Sequence, residues 1–149
     1  MTSSALATPP ADPPGGRTLL DREYRAALPH VPGIRSDVFA HLRKETSIPA
    51  SVVDDALIVM GELVANACLH AAGSTVRVIL VLIEDVGILT GVVHDDGPGS
   101  IKLTGPRTCQ DPCRENGFGL GIVAAVADTC GARRTRHGKE VYFALHLDN

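Results

Sequence analysis

The chain has 149 residues and a formal net charge of −3, with 44% hydrophobic and 21% charged residues. This length supports one domain with its own core, and this composition is typical of a globular protein and not of a disordered one. A small negative charge argues against direct nucleic-acid binding. Aromatic residues make up 3% of the chain, with no Trp, so base stacking on aromatic side chains is disfavoured.

The N-terminal segment differs in composition from the rest of the chain. Residues 1–16 hold four of the ten prolines and almost no charge. They lack the basic start and the apolar run of a signal peptide. Residues 1–17 are therefore predicted to form a disordered tail, and residues 18–149 a single domain.

Two further features bear on the compartment of the protein. The longest apolar stretch, residues 56–72, contains Glu62, Asn66 and His70. It is predicted to be a buried helix and not a membrane span, and His70 is expected to be packed and hydrogen-bonded. Because no secretory signal accompanies the four cysteines, they are expected to be reduced thiols in a cytoplasmic protein.

The first half of the domain shows helical patterns. Residues 21–27 are predicted to form a short helix that Pro29 and Pro32 end. Residues 35–45 have apolar positions at helical spacing and predict a second helix. Residues 51–71 give the strongest pattern, with an apolar stripe along a long helix.

The second half shows mainly β patterns. Four β-rich runs form two predicted hairpins, over residues 75–83 and 86–94 and over residues 132–136 and 140–147. Between them lie a loop over residues 97–116, long enough to indicate a function, and a short helix over residues 120–129. This order predicts an α+β fold, a two-layer sandwich with helices on one face of a mainly antiparallel sheet.

Glu62 and Asn66 are four residues apart in the long predicted helix, so their side chains project from the same side. An Asn carbonyl oxygen suits Mg²⁺, which prefers oxygen ligands and keeps several waters. A carboxylate beside that ion could deprotonate an attacking hydroxyl or water. Taken alone, such a pair is more often only the polar surface of a helix.

Asp95 follows an apolar run and opens the segment DDGPG at residues 95–99. An ionised carboxylate at a strand end can accept a hydrogen bond from the exocyclic amine of adenine. Gly97 and Gly99 allow the backbone to approach a ring closely. By itself, the same pattern also describes an ordinary Asp-Gly turn.

Three glycines, Gly117, Gly119 and Gly121, lead into the short predicted helix. Backbone N–H groups at the positive end of a helix can bind phosphate. The G-x-G-x-G spacing is neither the dinucleotide fingerprint nor a P-loop, which ends in Gly-Lys-Ser/Thr. Alone, the glycines could equally form a flexible hinge.

In this order, the three motifs resemble the N, G1 and G2 boxes of the GHKL ATPase superfamily. The segments GELVANACLHA at residues 61–71 and GLGIVAAVAD at residues 119–128 are similar to the stand-alone ATP-binding regulators of actinobacteria, relatives of the anti-sigma factor serine/threonine kinases. The resemblance covers residues 28–147. It implies a two-layer α/β sandwich of the GHKL type.

The resemblance also implies roles for individual residues, with ATP and Mg²⁺ as cofactors. Asn66 would be the Mg²⁺ ligand, Glu62 the catalytic base and Asp95 the residue that reads adenine. The other implied nucleotide contacts are Gly97, Gly99, Arg114, Gly117, Gly119, Leu120 and Gly121.

Two positions depart from the family's pattern. Arg114, the candidate γ-phosphate contact, stands one position away from where a lid arginine is expected. Glu140 stands where many relatives have a Thr near the adenine. An acid beside Asp95 and a polyphosphate is unfavourable, so Glu140 is expected either to point away or to weaken nucleotide binding.

The function that the resemblance implies is that of a Mg-ATP-dependent protein serine/threonine kinase. It would phosphorylate an antagonist protein and sequester a sigma factor, and would do so as a homodimer without direct contact to nucleic acid or membrane. The alternative is a non-catalytic protein-interaction module whose ATP site is degenerate or purely structural.

Two other groups of residues receive plainer interpretations. Arg133, Arg134, Arg136 and Lys139 form a basic hairpin, interpreted as a solvated face that could also dock an acidic protein. Cys109 and Cys113 are spaced C-x3-C, but no second pair follows at zinc-finger spacing. A metal site is therefore not expected there.

Overall fold

The computed structural model describes residues 15–70, 74–96, 107–108, 120–136 and 138–148. The strands in these residues are β1 Gly16–Arg25, β2 Thr75–Ile83, β3 Ile88–Asp95, β4 Arg107–Thr108, β5 Thr129–Arg134 and β6 Lys139–His146. The α-helices are α1 Val31–Leu42, α2 Ala50–His70 and α3 Leu120–Val126, and a 3₁₀ turn over Leu28–His30 precedes α1.

The strands form one sheet in the order β1-β2-β3-β6-β5-β4, and each neighbouring pair is antiparallel. Along β3 and β6, odd-numbered residues are buried and even-numbered residues are mostly half-buried. The apolar side chains at odd-numbered positions belong to one core cluster with the apolar side chains of the helices, namely Leu89, Val93, Val141, Phe143 and Leu145. The sheet therefore has a covered face and an open face, which confirms the predicted α+β sandwich.

Helix α2 is the main element of the layer that covers the sheet. It runs for 21 residues and buries a stripe that includes Val53, Met60 and Val64, as the apolar spacing predicts. Its observed bounds agree with the predicted ones to within a residue. No helix in the described part of the chain is long and apolar enough to cross a membrane.

Helix α1 begins earlier than predicted, because a proline near its start was interpreted as a stop. Pro32 lies in the first turn of α1. A proline is tolerated there, since the first N–H groups of a helix have no partner inside it. The structure therefore confirms a helix in this region, but it lies at Val31–Leu42 and not at the predicted residues 35–45.

The short helix predicted over residues 21–27 is wrong, because this segment belongs to strand β1. An isolated helix of that length is marginal in water, whereas β2 pairs with β1 from Gly16 to Arg25, with one irregularity between Thr18 and Leu20. The strand begins inside the stretch 1–17 that was predicted to be a tail. Residues 1–14 of that stretch lie outside the described residues.

The helix predicted over residues 120–129 ends at Val126, because the chain enters β5 at Thr129. Cys130 pairs with Phe143 of β6. Pairing between strands is therefore found where the local sequence favours a longer helix. The predicted loop over residues 97–116 lies outside the described residues, except for β4.

The prediction of four reduced thiols is wrong at Cys130, which is disulfide-bonded to a partner outside the described residues. Cys68 on α2 is free and buried. Burial raises the pKa of the Cys68 thiol, against the opposing effect of a backbone hydrogen bond at Ala27. A count of cysteines in the sequence does not reveal which of them the fold brings together.

Candidate functional site

The predicted site residues of α2 and β3 lie at the same end of the sheet. His70 ends α2, and Thr75 begins β2 five residues later, a distance of at most about 17 Å along the chain. At that end of β2, Val76 pairs with Asp95. Asp95 pairs in turn with Lys139 on β6. The C-terminal end of α2 therefore lies no more than about 17 Å from the start of β2, at the sheet end where β3 ends and β6 begins.

Asp95 lies on the covered face and is 2% exposed. Its Oδ2 accepts a hydrogen bond from Lys139 Nζ at 2.5 Å. Its Oδ1 is buried and has no hydrogen-bond partner among the described residues. An unpaired buried acceptor costs about 1–3 kcal/mol, a cost that a ligand donor such as an exocyclic amine would remove.

Lys139 is 5% exposed, so the interpretation of the basic hairpin as a solvated face is wrong for this residue. The sequence contains a signal that could have shown this. Val141, Phe143 and Leu145 alternate along the sequence of the last strand, and counting back by two places Lys139 on the same face. Lys139, and not Glu140, is the neighbour of Asp95.

Glu140 lies on the open face, where it pairs across the strands with His94 and Arg133. Its Oε1 accepts a hydrogen bond from Arg133 Nε at 2.8 Å. Of the two outcomes expected for Glu140, the structure shows the first, because its side chain points away from Asp95.

Gly138 allows the start of β6 to approach the end of β3 closely. A Cβ added at Gly138 would lie 1.8 Å from the backbone oxygen of Asp95. Only a residue without a side chain fits there. Gly138 therefore helps to hold Lys139 beside Asp95, a role that its position in a turn did not suggest.

The neighbouring acid, Asp96, is exposed and already has partners. Thr75 donates to it from Oγ1 at 3.1 Å and from its backbone N–H at 3.2 Å, and the Ser74 hydroxyl donates a further hydrogen bond. Burial alone would raise the pKa of Asp96, but these hydrogen bonds outweigh it and hold the pKa below its usual value. Asp96 therefore joins the ends of β2 and β3, whereas Asp95 keeps one oxygen without a partner among the described residues.

Glu62, Asn66 and His70 are spaced by four residues along one side of α2, and all three are half-buried. The Nδ2 atom of Asn66 and the Nε2 atom of His70 are buried, and neither has a hydrogen-bond partner in the part of the chain that the structure describes. His70 is half-buried, and the hydrogen bond expected for it is not seen at Nε2 among the described residues, so His70 joins Asn66 as a group that could contact a ligand.

These residues fit a Mg²⁺-nucleotide. The Asn66 amide is not engaged through its nitrogen, and its carbonyl oxygen is a ligand type that Mg²⁺ accepts together with phosphates and waters. Glu62 lies one helical turn before it, about 6 Å along the helix axis. Base recognition at Asp95 and metal binding at Asn66 would thus occur at one end of the sheet.

Several predicted nucleotide contacts lie outside the described residues and stay predictions, namely Gly97 and Gly99 at the base and Arg114, Gly117 and Gly119 at the phosphates. Leu120 opens α3, and Gly121 follows it. A Cβ added at Gly121 would meet nothing within 4 Å. Packing among the described residues therefore does not require glycine at this position.

Comparison with known proteins completes the description of the site. No curated protein matches the chain significantly. The family model of the histidine kinase-like ATPase domain matches residues 24–145, a range that reaches from the end of β1 into β6 and includes Glu62, Asn66 and Asp95. The chain therefore belongs to the histidine kinase-like ATPase domain family.

Proposed function

We propose that the protein is a Mg-ATP-dependent serine/threonine kinase of the anti-sigma type, which phosphorylates an antagonist protein and sequesters a sigma factor. Membership of the ATPase family supports the use of ATP. The observation that carries the proposal is the buried Oδ1 of Asp95, an acceptor without a partner among the described residues.

Each residue has one task in this proposal. Asp95 accepts a hydrogen bond from the adenine amine through Oδ1. The Asn66 carbonyl oxygen would hold Mg²⁺, which when bound offsets the negative charge of the phosphates. Glu62 accepts the proton of the substrate serine while that oxygen forms a bond to the γ-phosphorus and the bond to the ADP oxygen breaks.

The first test separates nucleotide binding from phosphoryl transfer. Glu62→Gln is compared with Asp54→Asn, a matched change at an exposed acid of the same helix. Calorimetry measures Mg-ATP binding, and label from γ-labelled ATP on candidate antagonists from neighbouring genes measures transfer. We expect Glu62→Gln to bind ATP like the wild type and to lose transfer by at least about a hundredfold, while Asp54→Asn retains both.

The outcomes distinguish the two functions that the sequence left open. If the wild type binds Mg-ATP and labels no antagonist, the protein is a non-catalytic module. If it binds no Mg-ATP, the kinase proposal fails altogether. Glu140 was a reason to favour the module, and its position on the open face removes that reason.

The partner assignments are supported by the resemblance of residues 61–71 and 119–128 to actinobacterial regulators. A homodimer is part of the proposal and would give a mass of twice 15.6 kDa by sedimentation equilibrium. A monomer at every protein concentration would contradict it. Cytoplasmic location, with neither nucleic acid nor membrane as a direct partner, belongs to the same proposal.

A further inference from the structure

Lys139 has no task in the mechanism above, although it is the cation beside the base-reading acid. Its ammonium group carries three N–H donors, and within the described residues it makes one hydrogen bond, to Asp95 Oδ2 at 2.5 Å. The other oxygen of that carboxylate, Oδ1, is buried and has no partner in the same part of the chain. An unused acceptor and a donor group with spare N–H bonds therefore lie side by side.

A second ion pair of the same sheet shows what the Asp95–Lys139 pair leaves open. Arg77 Nε and Nη2 each donate to a different oxygen of Asp21 at 2.8 Å. The side chains of Asp95 and Lys139 are 3% and 7% exposed, against 26% and 17% for Asp21 and Arg77. The more deeply buried pair is thus the one with an unused oxygen among the described residues. Because buried charges are costly unless their remaining hydrogen-bonding capacity is used, this points to a ligand edge that supplies the missing contacts.

Strand pairing holds both groups in place. Asp95 and Lys139 are opposite each other in the register of β3 and β6, and both are buried on the covered face. The close approach of the two strands at Gly138 leaves no room for a side chain there. Since the acceptor and the donor are fixed by a paired backbone, little of their freedom is lost when a ligand binds.

We propose that Lys139 is a specificity-determining residue that donates a hydrogen bond to N1 of adenine, while Asp95 accepts one from the 6-amino group. The proposal rests on the proposed function, since it requires the adenine base to bind at Asp95. Adenine carries this donor and this acceptor at neighbouring positions of one edge, in the order that the carboxylate and the ammonium need. The contact to N1 is charge-assisted, because its donor is an ammonium group. A 6-oxopurine has the opposite order, since its O6 would face the carboxylate and its N1–H the ammonium.

The test removes N1 from the base and the ammonium from the protein, separately and together. In 1-deaza-ATP a C–H replaces N1 and the 6-amino group is kept, whereas 7-deaza-ATP is the control nucleotide, because its change lies away from that edge. Calorimetry at about pH 8, well above the ordinary pKa of a carboxyl group, gives Kd for the Mg²⁺ complexes of ATP and both analogues with the wild type, Lys139→Met and Arg133→Met. Arg133 is the matched control, because it is a cation of the same hairpin that pairs with Glu140 on the open face.

We expect 1-deaza-ATP to bind the wild type at least about tenfold more weakly than ATP, and 7-deaza-ATP to bind it within about threefold of ATP. In Lys139→Met, the ratio of the 1-deaza-ATP Kd to the ATP Kd should fall by at least about fivefold, because no ammonium is left to contact N1. Arg133→Met should keep the wild-type ratio. A smaller ratio in the wild type, a smaller fall in Lys139→Met, or an equal loss with 7-deaza-ATP overturns the proposal, since N1 would then be uncontacted or bound by water or another group.

The ATP measurements keep the two proposals apart. Absence of ATP binding by the wild type contradicts the proposed function, whereas ATP binding that does not depend on N1 contradicts only the role of Lys139. Thermal unfolding of each variant shows whether it folds. A loss of stability alone does not change the ratio, since both nucleotides bind the same folded protein. If Lys139→Met does not fold, the comparison of the three nucleotides on the wild type decides alone, by the same limits.

Discussion

Two ion pairs involve residues of the β5–β6 hairpin. They lie on different faces of the sheet and differ in how fully the carboxylate oxygens are hydrogen-bonded. Lys139 and Glu140 are adjacent in β6, but Lys139 pairs with Asp95 on the covered face and Glu140 pairs with Arg133 on the open face. The covered pair is buried, and one oxygen of its carboxylate has no partner within the described part of the chain. The open pair is accessible to water, which can satisfy any remaining hydrogen bonds. A carboxylate oxygen without a hydrogen-bond partner therefore suggests a ligand only on the covered face, because that buried oxygen is shielded from water.

The largest effect expected from this contrast concerns stability. Lys139→Met leaves the Asp95 charge buried and unpaired, and we expect it to lower the free energy of unfolding by about 3–5 kcal/mol. Arg133→Met should lower it by about 1 kcal/mol or less. Urea unfolding measures both values.

A double variant further tests whether the buried ion pair contributes more to stability than the exposed one. Asp95→Asn combined with Lys139→Met removes both charges, and we expect it to cost less than the sum of the two single changes. Equal losses for Lys139→Met and Arg133→Met would show that burial does not distinguish the two pairs.

The next effect concerns packing on the covered face. A Cβ added at Gly91 of β3 would lie 2.5 Å from Phe143 Cε1, so Gly91→Ala should destabilise the fold by about 1–3 kcal/mol through overpacking. Gly33→Ala is the control, because a Cβ there meets nothing within 4 Å. It should be neutral or stabilising by up to about 1 kcal/mol, since alanine favours the helix. Thermal unfolding that ranks the two in the opposite order would contradict this account of the core.

The smallest effect separates the two adjacent acids. Asp96→Asn should lower stability at neutral pH by about 1 kcal/mol or less and leave ATP binding unchanged, whereas Asp95→Asn should abolish ATP binding. Hydrogen bonds hold the folded pKa of Asp96 below its ordinary value of 3.8. The stabilisation is therefore present above about pH 4 and is lost as the pH falls through the folded pKa.

Thermal unfolding between neutral pH and about pH 2 measures this dependence. The gap between wild type and Asp96→Asn should narrow below the ordinary pKa of the carboxyl group. A stability difference between the wild type and Asp96→Asn that grows as the pH falls would contradict a pKa of Asp96 that hydrogen bonds hold low. Loss of ATP binding in Asp96→Asn would show that the two acids were assigned the wrong way round.

Elements with strong periodicity could be predicted from the sequence. The apolar stripe of α2 and the β-rich run of β2 gave bounds within a residue of those observed, because burial of one face is recorded at regular intervals along the chain. The edge strand β1 could not be predicted in the same way. Its stability comes from pairing with β2, about fifty residues later in the chain, and its own pattern is weak.

The residues of the candidate site likewise fall into those that the sequence indicates and those that only the tertiary structure identifies. The sequence by itself indicated Glu62, Asn66 and Asp95, since their residue types and local spacing identify them as possible metal and base ligands. Only the tertiary structure showed that Lys139 lies beside Asp95 and that Glu140 points away. Which side chains meet depends on the register between β3 and β6, and hydrogen bonds between strands more than forty residues apart set that register. A one-residue shift in register would exchange the two faces, so the chemistry of the pocket is decided by strand pairing and not by the motifs alone.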